Sequence, residues 1–330
     1  MPYEDSPYFE TPCHTKPLWR YMHIDKFLAI LSGDSLYFPN IYSFDDKFEG
    51  TLSEKSLDEI RNISLLDEKN TPLYDDKAFY KRRDELRKLP LEQEGEVARK
   101  LSLDQEKRES ERIFTQLLKN FISHLMYCNS WFQREKESHS MWAEYGDKSP
   151  TSIAIQTTVG DLIESLGSAE YNIHIGEVKY KDYKKEQLEG YENLTSKDLT
   201  NPYNVLKLFY APFLQKRDLY QDEHEVRAII SFEDVCEKFL GRVYTYEIPF
   251  YSDPMFRTDA SLLRDYKNPI KNADNGIPID ISLHTLVKKI VVSPTVNDYF
   301  NIPFEDLIKR YDIDPSIISR SQIVDIQEDL

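Results

Sequence analysis

Residues 220–230 most constrain the fold, because their side chains change from polar to apolar along a single predicted strand. Side chains on a strand alternate between its two faces, so Glu223, Glu225 and Arg227 are predicted to share one face. The apolar residues between and after them take the opposite face, toward a core. Two carboxylates crowded beside one guanidinium suit acid–base chemistry or the stabilisation of a cation. The same pattern also fits a solvated strand face with an internal Glu–Arg ion pair, worth about 0–1 kcal/mol.

Several other short strands are predicted, and they are scattered along the chain while the helices are grouped. The predicted strands cover residues 18–22, 35–38, 125–130, 152–156, 175–180 and 286–294. Apolar residues at helical spacing predict a helix over 24–31, and Gly33 is well placed to end it. This arrangement favours an α+β fold with a sheet core over a regular alternation of strands and helices. No glycine-rich phosphate loop occurs, so a Rossmann or P-loop nucleotide site is not expected.

The domain organisation predicted from the sequence is simple. Residues 1–17 contain several prolines and are predicted to form an irregular N-terminal arm. Residues 18–330 are predicted to form one α+β domain. Within it, residues 55–122 are highly charged and poor in strand formers, which predicts a helical insertion.

Composition limits the partners and the compartment. The formal net charge of −16 argues against broad, non-specific affinity for nucleic acid, although the basic run over 179–185 leaves a local patch open. Three scattered cysteines cannot all pair, which favours a reducing, cytoplasmic compartment. Neither a secretory leader nor an apolar stretch long enough to span a bilayer is recognised, so no membrane association is expected.

Four segments form an ordered set along the chain. They are Leu18-Trp-Arg-Tyr21 with its following helix and Gly33; Phe44-Asp-Asp-Lys-Phe-Glu49; Cys128-Asn-Ser130 through Met141-Trp142 and Tyr145; and Lys216 through Tyr220-x-x-Glu-x-Glu-x-Arg227. In this order they resemble a large family of bacterial proteins of uncharacterised function that is often associated with phage-defence islands. The chain departs from that family's pattern where Asp-Asp-Lys-Phe-Glu stands for the usual Asn-Asp-Pro-Phe-Glu, and where Tyr220 stands for tryptophan.

The same set resembles, more distantly, the ADP-ribosyltransferase superfamily. That resemblance implies a split mixed or antiparallel β-sheet core and NAD as the substrate. Carried over residue by residue, Arg20 corresponds to the basic residue of the first strand, and Ser130 or Tyr145 to the middle position. Glu225 corresponds to the essential glutamate, and Glu223 to the first acid of the Glu-x-Glu pair.

Each of these residue types suits NAD cleavage. Breaking the nicotinamide–ribose bond develops positive charge on the ribose, which a fixed carboxylate such as Glu225 stabilises. Glu223 is predicted to accept a proton from the nucleophile, and Arg20 to clamp the pyrophosphate. The predicted NAD-binding residues are Arg20, Tyr21, Ser130, Trp142, Tyr145 and Arg227. The implied acceptor is a macromolecule, protein or nucleic acid, as in a phage-defence effector or toxin, and no metal ion is expected.

Two alternatives remain open from the sequence. In the first alternative, the same scaffold is a non-catalytic binding or sensor module, because a fold does not fix a function. In the other alternative, Asp45, Asp46 and Glu49 bind a divalent ion in a nucleic-acid-processing enzyme. Individual residues also have structural interpretations: Arg20 pairs with one of those three acids, and Trp142 belongs to the core.

Overall fold

The computed structural model describes residues 6, 8–62, 123–146, 149–195, 198, 202–235 and 276–323. Of the predicted helical insertion over 55–122, residues 63–122 lie outside the described residues. Residues 55–62 belong to the helix Glu54–Asn62.

Eleven strands and eight α-helices have the bounds given below, and residues 232–235 of the described part of the chain are also helical. The strands are β1 Pro17–His23, β2 Ser35–Pro39, β3 Cys128–Gln133, β4 Ser152–Thr158, β5 Ile173–Glu177, β6 Lys179–Lys181, β7 Gln215–Arg217, β8 Glu225–Ile230, β9 Gly276–Asp280, β10 Lys289–Val292 and β11 Ile318–Arg320. The helices are α1 Ile24–Gly33, α2 Glu54–Asn62, α3 Ser123–Leu125, α4 His139–Tyr145, α5 Val159–Ser165, α6 Pro202–Tyr210, α7 Leu283–Leu286 and α8 Asp298–Lys309. Among these described helices, none combines the length and the apolar character needed to cross a bilayer.

Seven of the strands form one mixed sheet in the order β11-β10-β4-β1-β3-β8-β5. Its neighbouring strands run antiparallel, except that β10 and β11 run parallel. Two smaller sheets pair β2 with β9 and β6 with β7. The α+β fold class predicted from the sequence is therefore confirmed, with a sheet of mixed direction at its centre.

The predicted boundaries are correct at the beginning of the chain and less so later. Strands β1 and β2 and helix α1 match their predictions closely. The strand predicted over 175–180 is two strands, β5 and β6, which lie in different sheets. The strand predicted over 286–294 is shorter, because helix α7 ends at Leu286 and β10 begins only at Lys289.

Strand β1 diverges from one of its neighbours, and this divergence shapes the site described below. Its pairing with β4 runs along its whole length, from Pro17 opposite Thr158 to His23 opposite Ser152. Its pairing with β3 covers only Leu18 and Trp19. Beyond Trp19 the two strands part, and the sheet is split along this line.

Both faces of the large sheet are packed. Alternate residues of β1 enter different clusters, as a strand's geometry requires. Leu18 and Met22 join the larger apolar core, which also contains the apolar faces of α1 and α8. Trp19 and Tyr21 join a smaller aromatic cluster with residues of β3 and α4. Each fully buried large apolar side chain stabilises the fold by about 1.5–3 kcal/mol.

The described residues of the predicted N-terminal arm are anchored to the rest of the protein. Those before Pro17 form neither helix nor strand. Tyr8 is nevertheless buried, its ring stacks on Tyr210 at 5.1 Å, and its hydroxyl donates to Glu233 Oε1 at 3.1 Å. Tertiary aromatic contacts therefore order this part of the arm.

Gly50 occupies a backbone conformation that other residues rarely adopt. Its φ is +69°, and a Cβ placed there would lie 2.4 Å from the ring of Phe213. We expect Gly50→Ala to lower the free energy of unfolding by roughly 2–4 kcal/mol, through backbone strain and steric overlap. Urea denaturation measures the loss.

Gly190→Ala is the matched control for Gly50→Ala. Gly190 also has a positive φ, +91°, but the nearest atom to its Cβ position is 3.7 Å away. It should show only the backbone cost of about 1–2 kcal/mol. Equal losses in the two variants would contradict the steric part of the argument.

Candidate functional site

Strand β8 carries the predicted acid–base cluster, but it is not a solvated strand. All six of its residues are buried, with Glu225 7 % exposed and Arg227 fully buried. Glu223 is not on the strand: it ends the 3-10 helix Asp218–Glu223, and His224 follows with a φ of +43°. The prediction that Glu223 shares a strand face with Glu225 and Arg227 is therefore wrong, because the chain turns at His224.

Arg227 has all five of its N–H donors engaged by protein acceptors. Its Nε and Nη2 bind the two oxygens of Glu225 at 2.7 and 2.9 Å. Its Nη1 and Nη2 bind the two oxygens of Glu49 at 3.1 and 3.0 Å. The fifth donor meets the carbonyl of Phe213 at 2.7 Å. An arginine has five donors, so none is left for a ligand in this conformation.

Lys216 joins the two carboxylates bound by Arg227 to a third one. Its Nζ lies 2.7 Å from Glu223, 3.3 Å from Glu49 and 3.6 Å from Glu225. The ring of Tyr220 also faces this ammonium, at 4.5 Å. Glu49, Lys216, Glu223, Glu225 and Arg227 are called the buried charge network below.

The pKa values of Glu223 and Glu225 in the buried charge network are shifted in opposite directions. Burial raises the pKa of Glu225, but Arg227 and Lys216 outweigh burial and lower it to about 2. Burial also raises the pKa of Glu223, and there Lys216 opposes burial without overcoming it. Glu225 is thus held as a carboxylate, whereas Glu223 takes up a proton more readily than an ordinary glutamate.

Acid should destabilise the protein through Glu225. Its pKa in the folded state, about 2, lies below the ordinary value of 4.5, so its stabilising contribution is complete above that value and is lost toward pH 2. The free energy of unfolding should fall by up to about 1.4 kcal/mol per pH unit on this account. Urea denaturation at about pH 5 and about pH 3 measures the slope.

Glu225→Gln provides the control for this acid dependence. Glu223 changes the free energy of unfolding in the opposite direction: because its pKa is raised, its stabilising contribution grows as the pH falls. The contribution of Glu225 is therefore the difference in slope between the wild type and Glu225→Gln, which should be less sensitive to acid. An unchanged slope in the variant would contradict the role assigned to Glu225.

Arg20 lies where β1 and β3 part, and it is only partly engaged. Its Nη1 donates to Asn129 Oδ1 at 2.8 Å and to the carbonyl of Ser130 at 2.6 Å. Its guanidinium carbon lies 5.7 Å from the ring of Trp131. Its Nε and Nη2 have no hydrogen-bond acceptor among the described residues, and the side chain is half-buried. Three N–H donors are thus available to a ligand, in contrast to Arg227.

Tyr145 and Glu225 act electrostatically on Arg20, and Ser130 acts on Glu225. Burial lowers the pKa of Arg20, and the charges of Tyr145 and Glu225 act on it in the opposite direction. The Ser130 hydroxyl is buried and close enough to Glu225 to favour its ionised form, yet it makes no hydrogen bond of good geometry in the described part of the chain.

Tyr145 presents an exposed ring at the end of α4. The residue is 48 % exposed. Burial of its hydroxyl raises its pKa, and the charges of Glu223 and Glu225 raise it further. Tyr145 therefore stays a neutral phenol on an exposed residue.

Two other predicted NAD-binding residues belong to the core. Tyr21 and Trp142 are buried, and their rings meet edge to face at 5.0 Å. The hydroxyl of Tyr21 accepts from the backbone N–H of Ser138 at 2.9 Å. The indole N–H of Trp142 donates to Glu137 Oε2 at 3.0 Å. Their polar atoms are already bonded and their rings are covered, which matches the structural interpretation of Trp142.

The acidic loop, residues 44–49, forms ion pairs with arginine and lysine side chains. Glu49 belongs to the buried charge network, and Asp46 lies 3.0 Å from Nη2 of Arg217, while Asp45 is exposed. Among the described residues, no group of three or more His, Cys, Asp or Glu side chains is arranged to hold a metal ion. The arginines that pair with this loop are Arg217 and Arg227, so the structural interpretation of Arg20 as their partner is wrong.

The basic run over 179–185 is balanced by acids. Lys179 pairs with Glu189 at 2.6 Å, Lys181 with Glu186 at 3.8 Å and Lys185 with Asp182 at 2.9 Å. These three lysines therefore add little uncompensated positive charge for a phosphate backbone.

Three residues of the site were not predicted as functional. Asn129 binds Arg20, Lys216 joins three carboxylates, and the hydroxyl of Tyr180 accepts from the backbone N–H of Glu225 at 2.9 Å. Lys216 begins the last of the four sequence segments, but its spacing to the acids gives no sign that it would contact three of them. Only tertiary structure brings these groups together.

Comparison with known protein families, with curated proteins and with solved structures finds no match in any of the three. The site combines two carboxylates, the ionised Glu225 and the more easily protonated Glu223. It also contains a cation with three available N–H donors, Arg20, and an exposed aromatic residue, Tyr145.

Proposed function

We propose that the protein is an ADP-ribosyltransferase-like enzyme, which cleaves NAD and transfers ADP-ribose to a macromolecular acceptor. The proposal is supported by the interactions that Arg20, where β1 and β3 part, has with three separate segments, which carry Ser130, Tyr145 and Glu225. Arg20 bonds to the Ser130 carbonyl, and the charges of Tyr145 and Glu225 act on Arg20. The split of the sheet at this point also supports the resemblance to that superfamily.

The proposed reaction uses the two glutamates differently. Nicotinamide leaves with the electron pair of its bond to the ribose, and positive charge develops on the ribose. The carboxylate of Glu225, ionised at neutral pH, stabilises that charge. An oxygen or nitrogen atom of the acceptor then bonds to the same ribose carbon and gives its proton to Glu223, whose raised pKa suits a general base.

NAD binding falls to Arg20 and Tyr145. The available N–H donors of Arg20 match the negatively charged pyrophosphate, and the exposed ring of Tyr145 offers a stacking surface for a flat heterocycle. Arg227, Tyr21 and Trp142 act indirectly. Arg227 holds Glu225 in place through two hydrogen bonds, and the ring of Tyr21 packs against Trp142 of α4. These three residues therefore position the site without touching NAD.

A second candidate function is a sensor that binds NAD without turnover. One observation favours it: both oxygens of Glu225 already accept hydrogen bonds from Arg227. A carboxylate so engaged is less available to a ribose hydroxyl. A cytoplasmic location and a role as a phage-defence effector or toxin fit either function.

Nicotinamide release from NAD by the purified full-length protein tests the proposal. The assay is run with and without a cell extract as the source of acceptors, and NAD binding is measured in parallel by calorimetry. Release supports the enzyme, and binding without release supports the sensor. A protein that neither binds nor cleaves NAD contradicts both.

A further inference from the structure

Asn129 bridges three strands at the point where the large sheet splits. Its Oδ1 accepts from Nη1 of Arg20 on β1 at 2.8 Å. Its Nδ2 donates to the backbone carbonyl of Tyr37 on β2 at 2.9 Å. Asn129 itself lies on β3 and is fully buried. One amide side chain thus ties β1 of the large sheet to β2 of the small β2–β9 sheet.

The amide group is suited to this position. It offers an acceptor and a donor on one rigid plane, so it satisfies a guanidinium on one side and a carbonyl on the other. A carboxylate in its place would lack the donor for Tyr37, and an apolar side chain would leave both partners unsatisfied. A buried polar group without a partner is costly, so the contacts of Asn129 are held firmly.

Asn129 also determines which edge of the Arg20 guanidinium is available. Both N–H groups of Nη1 are consumed, one by Asn129 and one by the Ser130 carbonyl. The remaining donors, on Nε and Nη2, lie side by side along the other edge of the plane. That edge is the fork with which arginine binds two oxygens of a phosphate or carboxylate group.

We propose that Asn129 is a positioning residue, which fixes the Arg20 guanidinium so that its Nε–Nη2 edge receives a diphosphate. The proposal rests on the proposed function, and the diphosphate is that of NAD. Without Asn129, one N–H of Nη1 loses its acceptor and the plane of the guanidinium is free to turn. The fork is then no longer preorganised for two oxygens of the ligand.

A double-mutant cycle tests this role. The dissociation constants of NAD and of inorganic pyrophosphate are measured by calorimetry for the wild type, Asn129→Ser, Arg20→Lys and the double variant. Asn129→Ser should weaken binding of both ligands by about tenfold in the wild-type background and by less than about twofold in Arg20→Lys, which has no fork to orient. Circular dichroism confirms that each variant is folded. Should Asn129→Ser fail to fold, Asn129→Gln takes its place, since it keeps the amide but displaces it.

The outcomes separate this inference from the function on which it rests. Equal weakening by Asn129→Ser in both backgrounds would overturn the inference, because a purely structural residue acts independently of Arg20. Pyrophosphate binding that shows the expected coupling, without NAD binding, supports the role of Asn129 and contradicts the proposed function. A wild-type protein that binds neither ligand overturns both.

Discussion

Replacing Arg227 with leucine is expected to lower the free energy of unfolding by about 3–5 kcal/mol, a large part of the stability of a typical domain. The reason is the isolation of its partners. Glu225 and Glu49 are both buried and both receive two hydrogen bonds from this one guanidinium. In the variant, Lys216 is the one cation of the described residues that still lies within 4 Å of these two buried carboxylates. Urea denaturation followed by tryptophan fluorescence measures the loss.

Arg217→Leu is the matched control for this experiment. Arg217 is a neighbouring arginine with a single carboxylate partner, Asp46, and its side chain is 25 % exposed. Loss of this ion pair should lower the free energy of unfolding by only about 0–1 kcal/mol. If Arg227→Leu were no more destabilised than Arg217→Leu, the buried charge network would not be the structural centre described here. Arg227→Lys is not expected to restore stability, because an ammonium cannot satisfy five acceptors.

The second large effect is expected on catalysis. Glu225→Gln should reduce nicotinamide release by at least about a hundredfold, which corresponds to roughly 3 kcal/mol of transition-state stabilisation. Glutamine keeps the shape of the side chain but removes the negative charge that the proposed reaction uses to stabilise the ribose. The rate is measured at saturating NAD, so that weaker binding does not contribute.

Glu49→Gln distinguishes chemistry from structure in this experiment. Glu49 also binds Arg227 through both oxygens and also contacts Lys216, so its loss disturbs the same network. It is not assigned a role in the reaction. Glu49→Gln should therefore lose stability while keeping most of its activity per folded molecule. A loss of activity as large as that of Glu225→Gln would mean that the network, and not the Glu225 charge, controls the rate.

Local pattern was sufficient for the elements of the first forty residues. In β1, alternating residues fill two different clusters, and α1 buries Phe27, Ile30 and Leu31 at helical spacing before it ends at Gly33. Such periodicity is a property of neighbouring residues, so it can be recognised without tertiary information. The split of the sheet could not be predicted in this way, because it depends on how few residues of β1 pair with β3.

The candidate site was predicted in part, and the omissions have one physical cause. Glu223 was assigned to a strand because its spacing alternates, but the left-handed residue His224 breaks that alternation. The sequence also predicts that Arg227 binds NAD, but its five donors are bonded within the protein. Its acceptors come from the distant loop that carries Glu49 and from the Phe213 carbonyl. Contacts between distant segments decide whether a charged residue serves the fold or the ligand, and one sequence does not contain them.

The bond between Glu49 and Arg227 joins residues 178 positions apart. During synthesis the glutamate leaves the ribosome long before its arginine exists, and domains fold as units once their distant partners are available. The ion pair cannot form until β8 has been made. Chains interrupted before Arg227 therefore lack this contact and are expected to be degraded more readily by proteases.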